Sequence, residues 1–244
     1  MFDERTTFIY LLNLCFVNPL DVPRVGEEEE NVEMMKRVIQ ANPQLSEPER
    51  NLLSCLYKSI INRRREVLRD FDKKFVDEIV DYPNRVQRLD EFREKLVSEI
   101  DEHCEDLCKL IETELLPVAN NPETRVFYEK MEADYYRYMA ENHTGDEKAA
   151  IIEKAGSHYE TALAISNSEL SQASTTALGL TLNYSVFLYE MMDRHQEAID
   201  LAAKSVQETI DLLDTLSDKT YNEATKIIYL LKDNVKNWKE RLNL

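Results

Sequence analysis

The segment NLLSCLYKSIINRRREVLRDF (51–71) sorts its apolar and basic residues onto two sides of a helix. At about 100° per residue, Leu53, Leu56, Ile60 and Val67 fall within about 30° of their common mean, and Lys58, Arg65 and Arg69 lie opposite. Arg65 and Arg69 stand roughly 20° to either side of Lys58. The apolar side reads as a core face. The basic side reads as a straight cationic line, about 16 Å long at 1.5 Å per residue.

Similar helical stretches fill most of the chain, and breaks fall where Pro, Gly, Asn and Asp cluster. FIYLLNLCFV (8–17) reads as a first helix buried nearly all round, ended by NPLDVPRVG (18–26). EEEENVEMMKRVIQ (27–40) is the second. In NPQLSEPER (42–50), Ser46 and Glu49 have the spacing of a capping box, and Pro48 is tolerated in a first turn. A long third helix therefore starts near Glu47 and runs to the region of Tyr82–Asn84, where Pro83 interrupts it. Further helices are predicted over about 86–115, 123–142, 146–166, 170–192, 195–214 and 218–242, nine in all. No shift in composition marks a boundary, so residues 1–244 read as a single all-α domain.

Composition narrows the function. Charged residues make up 32% of the chain and β-branched residues are scattered, as an all-helical protein requires. With only Gly26, Gly145, Gly156 and Gly179, there is no Gly-rich phosphate loop or dinucleotide fingerprint. The net charge of −17 opposes general attraction to nucleic acid or anionic membranes, so a cationic site must be local. No apolar run reaches the roughly 20 residues of a membrane span. FIYLLNLCFV follows Asp3 and Glu4 with Arg5 as the only cation, and no small-residue cleavage pattern follows it, which disfavours a signal peptide. The cysteines lack a disulfide framework and read as reduced thiols of a cytoplasmic protein.

Cys104 and Cys108 lie a turn apart beside His103, but no second ligand pair matches them, so they read as small buried hydrophobes. No metal or other cofactor is expected. His103, His143, His158 and His195 are scattered outside nucleophile or metal motifs, and the chain is read as no enzyme.

A second basic line lies in VFYEKMEADYYRYMAENHTGDEK (126–148). Lys130, Asp134 and Arg137 share one side of the wheel, Tyr128, Tyr135 and Met139 the other, and Tyr138 the shoulder beside Arg137. Basic stripes are commonly solvated faces paired with nearby acids. Were the two helices side by side, however, Lys58, Arg65, Arg137 and Tyr138 could converge. Arginine forks, a lysine point charge and a phenol are the donors a phosphate dianion requires. Asp134 is placed to relieve repulsion among the cations and to orient the guanidinium groups. Periodicity alone does not establish that convergence. A rival reading comes from HYETALAI (158–165) and HQEAIDLA (195–202), whose small residues suggest a tetratricopeptide-like module for unmodified peptides. Ala162 and Ala198 stand 36 apart rather than 34 and the pattern does not extend upstream, so close-packed helix pairs account for them.

Six stretches in order resemble the 14-3-3 proteins: LSEPERNLLS (45–54), YKSIINRRR (57–65), VFYEKMEADYYRYMAE (126–141), LGLTLNYSVFLYE (178–190), LDTLSD (213–218) and LLKDNVKNW (230–238). The match covers about residues 45–240. It implies nine antiparallel helices forming a cup with an amphipathic groove, and an adaptor that binds phosphoserine or phosphothreonine motifs of partner proteins. On this resemblance the phosphate falls to Lys58, Arg65, Arg137 and Tyr138. Asn183 and Asn234 hold the ligand backbone. Lys130, Leu182, Val186, Glu190, Ile227 and Leu230 line the groove, and Trp238 closes the last helix.

The resemblance also implies a homo- or heterodimer. Lys95 and Glu99 look like the family's dimer charges, but the first 44 residues depart from the family and lack recognisable partners for them. Lys226 stands where the family usually has an apolar groove residue, and Lys232 replaces a common arginine.

Overall fold

The computed structural model describes residues 4–15, 27–81 and 83–243. The predicted break at 18–26, the end of the first apolar run (16–17) and Tyr82 lie outside the described residues. Among the described residues there are nine α-helices and no strand. They are α1 (Glu4–Cys15), α2 (Glu27–Ala41), α3 (Glu47–Asp81), α4 (Val86–Leu110), α5 (Pro122–Ala140), α6 (Gly145–Glu169), α7 (Thr175–Glu190), α8 (His195–Ile210) and α9 (Asp218–Leu242). None of them is long and apolar enough to cross a membrane. The helices group into two compact units, Met1–Val118 and Ala119–Leu244.

In the first unit, α1 packs on α2 and α3, and α3 packs on α4. Val38, Ile39, Leu53, Leu56, Ile60, Ile100 and Leu107 are fully buried there. The start of α3 follows its local code. The Glu49 carboxylate accepts the Ser46 backbone N–H at 2.7 Å and the Ser46 hydroxyl at 2.8 Å, closing the capping box. Burial of Glu49 pushes its carboxyl up, but the Ser46 bonds and Arg5 outweigh this and hold it below the usual value.

Two expectations for this unit need correction. Val67 is exposed, and Leu68 is buried instead. On the wheel Val67 lies between the buried Leu56 and Ile60, so its angle does not account for its exposure. What differs is the surface that neighbouring helices cover along this part of α3, where Leu68 takes the inward position. Nor is α1 buried all round: Leu12 is inside, whereas Tyr10 is 63% exposed. Its main packing partners are α2 and α3, and residues such as Tyr10 stay in solvent. Cys104 and Cys108 are buried, as predicted. Beyond Leu110 the chain widens into a π-helical turn, Ile111–Leu115, and then tightens into a 3-10 turn, Leu116–Val118. Pro117 lies in that second turn and has no N–H with which to continue an α-helix.

In the second unit α5 pairs with α6, α7 with α8, and α9 packs on both α7 and α8. Three of its helix starts, those of α5, α7 and α9, are written locally. The Asn121 side chain accepts from the Thr124 N–H at 2.8 Å with Pro122 in the first turn, and Ser174 accepts from Ala177 at 3.1 Å. Ser217 accepts from Thr220 at 3.3 Å. The Ser174 cap explains why α7 begins at Thr175 rather than near 170. Likewise α8 stops at Ile210, short of the predicted 214, and a 3-10 turn at Leu213–Thr215 leads into the Ser217 cap. Gly145, the first residue of α6, adopts φ +61°, a conformation glycine reaches without a Cβ clash. The core is aromatic at its centre: Tyr159 stacks on Tyr184 at 5.1 Å, and its ring also lies 5.1 Å from Phe187. Ala162 and Ala198 are both fully buried, which is the close helix packing their size permits.

Candidate functional site

The basic line on α5 is organised around one carboxylate. Asp134 is nearly buried, and its Oδ2 accepts from Lys130 Nζ at 2.7 Å. The Tyr159 hydroxyl of α6 donates to Oδ1. The Asn183 side-chain amide of α7 donates to both oxygens at 2.8 Å. Arg137 Nη2 lies 3.8 Å from Asp134 Oδ1, and Arg137 Nε donates to the Tyr159 hydroxyl at 3.4 Å. The guanidinium sits over the Tyr138 ring, 4.6 Å from its centroid, and its Nη1 lies 3.6 Å from Glu141. Lys130, Asp134, Arg137, Tyr138 and Asn183 are thus brought together, with Tyr128, Tyr135 and Met139 buried on the inner side, as the wheel predicts.

Electrostatics hold this arrangement in its charged form. Burial pushes the Asp134 carboxyl up, but Lys130 and Arg137 beside it outweigh that and keep it below the usual range. Burial would likewise lower the Arg137 guanidinium, yet Tyr159 and Asp134 raise it. Tyr159 is pushed well above an ordinary phenol, first by burial and then by the Asp134 charge. Asp134 therefore stays an acceptor and Arg137 a cation whose side chain is only 12% exposed.

The other residues of this unit fall along α7 and α9. Leu182, Val186 and Ile227 are partly buried against the core, and Leu230 is 52% exposed. Asn234 is half-buried and Glu190 exposed. Trp238 is buried and stacks on Tyr189 with centroids 4.7 Å apart and planes 11° apart. Because the Asn183 amide N–H2 is given to Asp134, the acceptor that remains to it is its carbonyl oxygen. Lys226 is exposed.

In the first unit, Lys58 is exposed and has no carboxylate partner among the described residues. Arg65 is half-buried and donates to Asn62 at 3.2 Å. The neighbouring Arg64 behaves differently. Only 16% exposed, it reaches Glu28 at 2.9 Å and Glu99 at 3.1 Å. Lys95 is also within 3.9 Å of Glu99.

A sequence profile described as 14-3-3 protein matches residues 22–239. The 14-3-3-like protein GF14 iota of Arabidopsis thaliana is 37% identical over 238 residues, covering 96% of this chain and 85% of the relative. The 14-3-3-like protein C of Glycine max is 36% identical over 238 residues, 96% of this chain and 89% of its own. The 14-3-3 protein zeta of Bombyx mori is 38% identical over 205 residues, 84% and 82% of the two chains.

The chain belongs to the 14-3-3 family.

As a 14-3-3 protein it is a non-enzymatic adaptor. The plant relatives align over 96% of the chain, so the likeness extends well into the N-terminal helices that motif reading had left outside it. Tyr159, which meets both Asp134 and Arg137, has no signal in the sequence beyond being the aromatic of the alanine-patterned HYETALAI stretch. Outside this site, the ion-paired Arg64 is one of three consecutive arginines that nothing local distinguishes.

Proposed function

We propose that this 14-3-3 chain binds phosphoserine and phosphothreonine segments of partner proteins, its two helical units acting as one domain. Lys58 and Arg65 of α3 and Arg137 and Tyr138 of α5 close on one phosphate dianion. The carbonyl of Asn183 and the amide of Asn234 hold the peptide backbone, whose polar groups lose water on binding. Leu182, Val186, Ile227 and Leu230 receive flanking apolar side chains, while Lys130 and Glu190 set polar preferences. Lys226 adds a charge at one end that favours acidic neighbours of the phosphosite.

The observation that carries this reading is Arg137, a nearly buried guanidinium braced by Asp134 and Tyr159. Fluorescence anisotropy with a labelled phosphoserine peptide and its unmodified twin tests it. The phosphorylated form should bind far more tightly, and equal affinities would end the proposal. Because the second phosphate pKa is about 6, affinity should fall roughly tenfold between pH 7 and pH 5 as the dianion is lost. If the chain pairs with a second copy, two such sites would engage a doubly phosphorylated partner with raised effective concentration. Light scattering over a dilution series reports whether it pairs.

A further inference from the structure

On a different face of α5, three side chains converge that play no part in the site above. Glu129 and Glu132 of α5 and His158 of α6 each offer one donor atom, and these atoms lie within 4.8 Å of one another. His158 Nδ1 is 2.8 Å from Glu129 Oε2 and 3.5 Å from Glu132 Oε2. From the Lys130–Asp134–Arg137 line this cluster is turned roughly 130° around the helix. The side chains of Glu129 and Glu132 are 13% and 3% exposed, and that of His158 is 29% exposed.

We propose that Glu129, Glu132 and His158 form a binding site for a divalent transition-metal ion, with zinc(II) the best fit. Distances favour it. Zinc held tetrahedrally at about 2.0–2.1 Å separates its ligand atoms by about 3.3 Å. The 2.8 and 3.5 Å spacings bracket that value, so small side-chain adjustments admit the ion. Charge favours it too, since a divalent ion brings two positive charges to two carboxylates, one of them buried.

Ligand type selects among ions. An imidazole nitrogen with two carboxylates suits zinc, cobalt or nickel, whereas magnesium and calcium want six or more oxygens. Tyr136 stacks on the His158 ring at 5.6 Å and 15° between planes, and so fixes the direction of its nitrogens. The exposed side of His158 leaves a fourth position for water. Bound there, the ion joins α5 to α6 and displaces any proton held by the imidazole or the carboxylates.

The test uses the full chain stripped with a chelator and titrated with zinc chloride, followed by calorimetry and thermal melting. One equivalent should bind and raise the midpoint, with magnesium and calcium chloride giving no comparable shift. His158→Gln and Glu132→Gln should each weaken zinc binding at least about tenfold, while His195→Gln, at another histidine, should not. If Glu132→Gln does not fold by circular dichroism, Glu129→Gln takes its place. Zinc-edge X-ray absorption should show a nitrogen and oxygen shell. Sulfur in that shell would move the ion to Cys104 and Cys108 and overturn the assignment. So would zinc binding that His158→Gln leaves unchanged.

Discussion

The two basic lines differ in how their charges are held. On α3, Lys58 stands in solvent and Arg65 is half-buried beside Asn62. On α5, Arg137 is nearly enclosed, and its companions Lys130, Tyr159 and Asn183 all converge on one buried aspartate. The first line adapts and the second is built in advance. A cation in solvent gives up water when a ligand arrives, whereas a cation already dehydrated and pinned has met that cost during folding. Removing a residue from α5 should therefore disturb folding and binding together. Removing one from α3 should disturb binding more than folding.

Arg137→Ala is the most severe test of that contrast. It removes one of the two cations beside the buried Asp134 and should lower stability by on the order of 3 kcal/mol in chemical denaturation, besides abolishing phosphopeptide binding. A variant as stable as the parent would show that the aspartate does not depend on it. Next comes Arg65→Ala. We expect a loss of about 2–5 kcal/mol in peptide anisotropy, with a smaller change in unfolding free energy than Arg137→Ala gives. Binding reduced by only a few tenths would make Arg65 an ordinary surface cation. Tyr159→Phe sharpens the comparison from inside, since it removes only the hydroxyl shared by Asp134 and Arg137. It should cost about 1.5–3 kcal/mol of stability and weaken the peptide less than Arg137→Ala does.

The smallest effect lies outside both lines. Glu49→Gln, which breaks the charged half of the α3 capping box, should cost about 1 kcal/mol. Because the Glu49 carboxyl is held below its usual value in the folded chain, its contribution is present above the ordinary carboxylate range. That contribution disappears as pH falls through the folded value, so denaturation curves for parent and variant should converge on acidification. Curves that stay apart in acid would locate the effect elsewhere.

What could be read ahead of the structure follows the reach of each interaction. The capping box of Ser46 and Glu49 spans three residues, so spacing alone announced it, and the start of α3 came out where predicted. Val67 shares the wheel angle of the buried Leu56 and Ile60 yet is exposed, because periodicity gives a residue's direction and not whether another helix covers it there. The Ser174 cap was missed, and α7 was begun about five residues early. On α5 the line of Lys130, Asp134 and Arg137 was visible as a four-and-three spacing. Its bracing was not, because Tyr159 and Asn183 arrive from α6 and α7, and no local pattern connects them to Asp134. Family resemblance assigned Asn183 to a ligand, and the structure shows that its amide also serves the aspartate.

Arg64 bears on how copies of this protein could meet. Its guanidinium is already shared between Glu28 and Glu99 inside one subunit. A cation from a second chain that approached Glu99 would find an incumbent and would have to displace it. Any pairing that used Glu99 would therefore compete with a contact that the single chain makes for itself.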